Sequence, residues 1–141
     1  LSKLYLCKTE KVASNINLGG KKLKTREICK LLNAKVLAGE HLLDNDIESA
    51  FGSDLMSDVL TFANGRMALL TGLNNPQVIR TAEMSDIPLI IFVRGRTPSE
   101  EVVKMASERD ICILATEFIM YEACGTLYKA GLLPCTRLSN V

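Results

Sequence analysis

At 141 residues, 48% of them hydrophobic, the chain fits one domain with a core of its own. A net charge of +1, 5% aromatic residues and no Trp argue against nucleic acid and anionic lipid as partners, because neither a strong field nor a stacking platform is present. No apolar run reaches the ~20 residues of a membrane span. Five cysteines with no CxxC pair and no secretory leader point to reduced, mostly buried thiols and a cytoplasmic setting.

Residues 1–7 alternate weakly, as a short strand would, and residues 8–22 read as a polar linker. The first 24 residues carry six Lys and one Glu, so 1–22 is expected to be a basic, solvated extension. The domain core is expected over 23–132, with 133–141 as a tail. Thr25 is placed to cap a helix in which Ile28, Leu31 and Leu32 share one face. Residues 34–38 read as a strand, 39–46 as a polar connection and 47–51 as another strand. Gly52-Ser53-Asp54 then leads into a helix over 55–62, Asn64-Gly65 turns the chain, and 67–71 is a buried strand. Asn75 caps a helix that begins with Pro76 and runs to about residue 86. Residues 89–93 form the next strand. Thr97-Pro98-Ser99-Glu100 reads as cap, first-turn Pro and capping-box Glu of a helix to residue 109. Residues 111–115 are a strand, Thr116 caps the last helix, and Gly131 ends it.

Three successive strand–loop–helix units with nearly continuous apolar strands predict an α/β fold whose mainly parallel sheet is covered on both faces. Ligands of such sheets bind beyond the carboxyl ends of the strands. The candidate ligand-binding residues there are Ser53, Asp54, Thr71, Gly72, Asn74, Asn75, Arg94, Arg96 and Thr116. Helix N-termini supply free N–H groups, and the two arginines supply forked donors suited to phosphate or carboxylate. A nucleotide or small anionic metabolite would fit that chemistry. Ordinary capping and loop solvation would account for the same residue types.

In the last helix, Glu122, Thr126 and Lys129 form a single polar stripe, and most of the remaining circumference is apolar. Such a helix needs cover on more than one side. A second copy would supply it through Phe118, Met120, Tyr121, Cys124, Leu127 and Tyr128; the first helix or the N-terminal segment is the alternative cover. Catalytic readings fare poorly. Gly19-Gly20-Lys21-Lys22 resembles the end of a P-loop, but Asn15 stands in place of the first Gly and Lys22 in place of Ser or Thr. His41 is the one histidine, and nothing sets a Cys beside it. Asp54 and Asp58 could share a metal, although the helix dipole explains Asp54 as well. Residues 25–33 could open a helix-turn-helix, but no recognition helix follows. No cofactor and no metal are expected.

Several ordered motifs together resemble the DRTGG domain family. They are Ser49-Ala50-Phe51-Gly52-Ser53-Asp54-Leu55-Met56-Ser57-Asp58-Val59-Leu60, Leu69-Leu70-Thr71-Gly72-Leu73, and Asn75-Pro76-Gln77-Val78-Ile79-Arg80-Thr81-Ala82. Ile91-Phe92-Val93-Arg94-Gly95 and Met120-Tyr121-Glu122-Ala123-Cys124-Gly125-Thr126-Leu127-Tyr128 complete the set. The resemblance covers about residues 23–132 and is strongest to small stand-alone members. It implies a three-layer α/β/α fold with a mixed, mostly parallel sheet, similar to the N-terminal domain of HPr kinase/phosphorylase. It also implies a non-catalytic accessory role: in the family this domain accompanies phosphotransacetylase catalytic domains, and CBS domains in regulated pyrophosphatases, and often pairs with its like. The family's Thr-Gly-Gly is Thr71-Gly72-Leu73 here, and no Asp-Arg pair occurs, so a ligand held by the family motif would meet different side chains. The expected function is therefore a homodimeric regulatory domain sensing a phosphorylated or acidic small molecule at the strand ends. The alternatives are a small enzyme using Asp54, Asp58 or Thr71 on a phosphorylated metabolite, and a protein-interaction module docking an unidentified partner through residues 1–24.

Overall fold

The computed structural model describes residues 20–135. The strand expected at 1–7, most of the basic extension and the last six residues lie outside the described residues. Strands are β1 (Leu23–Lys24), β2 (Lys35–Ala38), β3 (Asp46–Ile47), β4 (Ser49–Gly52), β5 (Met67–Thr71), β6 (Leu89–Phe92), β7 (Cys112–Ala115) and β8 (Leu133–Pro134). Helices are α1 (Thr25–Leu31), α2 (Met56–Phe62), α3 (Pro76–Met84), α4 (Glu100–Glu108) and α5 (Met120–Lys129). Six strands form one sheet in the order β2-β7-β6-β5-β4-β8, and β1 pairs with β3 apart from it. Every pairing in the large sheet is parallel except that of β2 with β7.

Strand β5 shows why two helical layers form. Its five residues are all buried, but Met67 and Leu69 face one core while Ala68 and Leu70 face another. Side chains alternate across a strand, so an apolar run needs cover on both faces. On the Leu69 side lie Val59 of α2, Val78 and Ile79 of α3, and Val102 and Ala106 of α4. On the Leu70 side lie Ile28 of α1 with Ala123 and Leu127 of α5. Strands β4 to β7 are laid down side by side in one direction, which with right-handed crossovers puts α2, α3 and α4 on a common face. Strand β8 lies back beyond β4, so the chain reverses and α5 crosses the opposite face.

The three-layer, mostly parallel α/β arrangement matches the expected fold, with local corrections. Thr25 is the first helical residue rather than the cap; Lys24 holds the cap position, and the Thr25 N–H and hydroxyl donate to the Asn45 carbonyl. Leu31 turns outward at 39% exposure while Ile28 and Leu32 are fully buried. The polar connection after β2 contains a short 3-10 turn, and the strand expected over 47–51 is split into β3 and β4. Tail residues Leu133 and Pro134 pair with β4, and Cys135 is fully buried, so the folded unit extends past residue 132. Two further caps differ from the expected ones. The cap of α4 is Ser99, whose hydroxyl accepts from the Val102 N–H at 3.4 Å, not Thr97. That of α5 is Ile119, not Thr116.

The expected consequence is a split between neighbouring hydroxyls: Ser99→Ala should cost about 1 kcal/mol of stability, as a lost cap does, and Thr97→Ala should cost much less. Urea denaturation of the two variants checks this, and equal losses would place the cap elsewhere.

Candidate functional site

Parallel register sets the ends of four strands level. Gly52 lies opposite Leu70, Thr71 opposite Phe92, and Phe92 opposite Ala115. The ladder continues one step beyond the strands: Ser53 N–H donates to the Leu70 carbonyl at 3.0 Å, Val93 N–H to Thr71 at 3.0 Å and Thr116 N–H to Phe92 at 2.9 Å. The loops after β4, β5, β6 and β7 therefore leave from one edge of the sheet.

Asp54 joins the first two of these loops. One oxygen of its carboxylate, Oδ1, accepts from the Thr71 hydroxyl at 2.9 Å and from the Gly72 N–H at 2.7 Å. Thr71 is fully buried, and its own oxygen accepts from the Leu73 N–H at 3.1 Å. Partial burial pushes the Asp54 carboxyl up, but the Gly72 N–H, the Thr71 hydroxyl and the nearby Arg94 guanidinium outweigh it. The net result holds the carboxyl below the usual carboxylate range.

Arg94 reaches over the same loop. A Cβ on Gly72 would overlap Arg94 Nη2 and lie 3.1 Å from Cζ, so the absence of a side chain at Gly72 is what lets the guanidinium lie there. The backbone of Arg94 is left-handed, with φ 62, a conformation unfavourable for a residue with a Cβ. It is held by the Arg94 N–H donating to the Phe118 carbonyl at 2.8 Å. Arg94 is exposed, and its guanidinium donates no hydrogen bond among the described residues.

The third contributor is the start of α5. Its cap, Ile119, provides no side-chain acceptor, so the first N–H groups of the helix are not capped by a side chain. A Cβ on Gly52 would stand 2.9 Å from Cys124 Sγ and 3.1 Å from Met120 Sδ, which sets this helix against the end of β4. Anion, forked cation and helix N-terminus thus adjoin at one rim.

The other candidates divide. Ser53 Oγ accepts from the Leu55 N–H at 3.0 Å and shapes the turn into α2. Asn75 Oδ1 accepts from the Gln77 N–H at 3.1 Å as an ordinary cap, and Asn74 Nδ2 donates to the Thr97 carbonyl at 3.3 Å across to the next loop. Arg96 is exposed. Thr116 is buried, and its hydroxyl donates to the Leu32 carbonyl at 2.7 Å while accepting from the Phe118 N–H. It anchors the end of α1 to the rim and, though almost wholly buried, borders a small cavity there.

The expected pairing surface is partly consumed inside the subunit. Leu127 is 1% exposed, and Phe118, Met120 and Cys124 pack against the same core. Tyr121 at 87% and Tyr128 at 43% stay on the surface, joined by Ile119 at 56%. Of the residues weighed for catalysis, Asp58 is exposed on α2 and His41 Nε2 lies 3.1 Å from Asp110 on an exposed surface. Burial, with Cys29 nearby, pushes the Cys112 thiol up to about 12, opposite to what an attacking thiolate needs. Among the described residues no group of three or more His, Cys, Asp or Glu could hold a metal, and no helix is long and apolar enough to cross a membrane.

Reading strand ends missed Lys35 and Asn33, which line a cavity at the same edge together with Thr116 and Glu117 from the end of β7. Strand β2 runs antiparallel to β7, so its first residue, not its last, arrives at the rim. Strand direction carries no signal in a single sequence.

The Asp54 brace makes a pH-dependent prediction. A carboxyl whose folded-state pKa is depressed stabilises the fold above its unfolded value, and that stability disappears as pH falls through the folded one. Asp54→Asn should therefore cost about 1 kcal/mol at neutral pH, discounted for exposure. The difference from wild type should shrink as pH falls below about 4, the ordinary value for Asp. Chemical denaturation across that range measures it; a pH-independent difference would contradict the brace.

The family model for the DRTGG domain matches residues 27–130. Among solved structures, the chain is similar to the CBS and DRTGG domains of the regulatory region of Clostridium perfringens pyrophosphatase, complexed with its activator diadenosine tetraphosphate. That likeness has a TM-score of 0.58 at 17% identity and covers 78% of this chain and 47% of the other, so this chain spans about half the length of that solved regulatory region. No curated protein matches.

Proposed function

The chain belongs to the DRTGG domain family, and from that premise we propose that it is a regulatory domain binding a small phosphorylated or acidic molecule at the Asp54–Arg94 rim. The observation that carries this reading is the Arg94 guanidinium, exposed, aimed over Gly72 and donating no hydrogen bond among the described residues. Its left-handed backbone costs free energy that loop packing has to offset. Beside it, the α5 N-terminus has no side-chain cap, which favours an anion there. The similar pyrophosphatase region was solved with a dinucleotide activator, and a nucleotide phosphate suits this donor set.

Binding without turnover is the reading that Asp54 supports. Its Oδ1 already accepts two hydrogen bonds and its carboxyl is held ionised, so it works as a brace between loops. A general acid needs the opposite shift. Pairing of two copies is part of the proposal, with its surface moved to Ile119, Tyr121 and Tyr128, the α5-end residues that stay exposed.

Thermal unfolding with inorganic phosphate, acetyl phosphate, AMP and ATP tests the rim. A ligand at 100 times its Kd should add about 2.7 kcal/mol of stability, and Arg94→Ala should abolish the gain. No stabilisation by any of these anions, or the same gain in Arg94→Ala, would defeat the rim as the site. For pairing, light scattering should show a dimer that Tyr121→Glu converts to a monomer; a monomeric wild type at high concentration would remove that part of the proposal.

A further inference from the structure

A concavity lies at the same edge of the sheet, where the chain's connections part. The loop after β6 leads to α4 on one face, and the loop after β7 leads to α5 on the other. Adjacent strands whose connections diverge in this way open a crevice beyond their carboxyl ends. Here the crevice is a cavity of about 220 Å³ lined by Asn33, Lys35, Gly95, Thr97 and Glu117. It adjoins a trough of about 480 Å³ between β2 and α4, with Leu37 and Thr97 shared by both. The trough's surface is mainly apolar, through Leu37, Ala38, Pro98 and Val103, and Glu100, Lys104 and Ser107 also line it.

The two compartments differ in chemistry. Lys35 and Glu117 line the smaller one, and neither makes an ion pair or a side-chain hydrogen bond among the described residues. Gly95 makes this arrangement possible: its φ is +64, and a Cβ there would stand 2.6 Å from Glu117 Oε2. A side chain at this position would displace the carboxylate from the cavity wall. Two unpaired opposite charges lining one small cavity complement a ligand that carries both. An ammonium group would face Glu117, a carboxylate would face Lys35, and the Thr97 and Asn33 side chains supply neutral partners. The adjoining trough has the size and polarity to bury an apolar substituent.

We propose that this double cavity binds an α-amino acid with a bulky apolar side chain, its zwitterionic head between Lys35 and Glu117 and its side chain in the β2–α4 trough. A phosphate is disfavoured by the Glu117 carboxylate. An added peptide strand is disfavoured because β2 is only four residues long, starts with Lys35 and is bulged between Val36 and Ala38, features that blunt a sheet edge. The site is separate from the Asp54–Arg94 rim and does not depend on it.

Isothermal calorimetry on the full chain with L-leucine and L-phenylalanine tests the proposal, with L-alanine, leucinamide and isocaproate as controls. Leucine or phenylalanine should bind about tenfold or more tightly than alanine, which lacks the apolar part, and than the two analogues that each lack one charge. Lys35→Met should weaken leucine by a similar factor yet leave leucinamide unchanged. Glu117→Gln should weaken leucine yet leave isocaproate unchanged, and Arg94→Ala should bind leucine like wild type. Absence of leucine and phenylalanine binding overturns the proposal. So does binding indifferent to both cavity substitutions, and so does binding lost in Arg94→Ala, which would move the ligand to the rim.

Discussion

One carboxylate oxygen holds the rim together. Asp54 Oδ1, accepting from Thr71 and Gly72, ties the loop after β4 to the loop after β5. That bond is possible because parallel register brings the two strand ends level. Parallel strands deliver their carboxyl ends, and the helices that follow them, to the same edge by construction. Once Asp54 locks the β4 and β5 loops, Gly72 is fixed beneath Arg94, and Arg94 in turn is fixed by the Phe118 carbonyl from the loop after β7. Four strand ends become one surface through backbone bonds and a single ionised side chain.

The charges on that surface are used differently. Asp54 is engaged with the protein, and its depressed pKa records that engagement. Arg94, Lys35 and Glu117 donate or accept no side-chain hydrogen bond among the described residues. A carboxylate bonded to backbone and hydroxyl donors stabilises the loops. Exposed charges add little to stability and are the groups free to meet a ligand. The two proposed sites follow this division. The rim near Arg94 offers donors to an anion, and the crevice between β6 and β7 offers one charge of each sign.

Much of the architecture was legible in the residues. Met67–Thr71 is apolar at every position but its last, and both its extent and its two-sided burial were predictable from that run. Asn75-Pro76 marked the start of α3 to the residue, because a cap and a first-turn Pro act within one turn of chain. The α4 cap shows the limit of such reasoning. Thr97-Pro98-Ser99-Glu100 contains two hydroxyls able to cap, and the choice of Ser99 was made by the loop, whose Thr97 N–H turns back to the Gly95 carbonyl. Thr116 stands at a strand end and looks like a cap in the sequence, yet its hydroxyl is spent on Leu32, 84 positions earlier in the chain. Leu127 lies on the apolar face that suggests an interface, but Ile28 and Leu132 share the core that buries it.

The residues alone determined the α/β class, the succession of strands and helices, the family, and the set of loops from which a ligand surface could be built. Each of these rests on local pattern: alternation, capping chemistry and short apolar runs. Tertiary structure decided which members of that set face solvent together and which are consumed in holding the loops. It also decided that the antiparallel β2 brings Lys35 to the edge where the parallel strands end. Those outcomes depend on strand order, direction and side-chain competition between segments far apart in the chain, quantities that no local window contains.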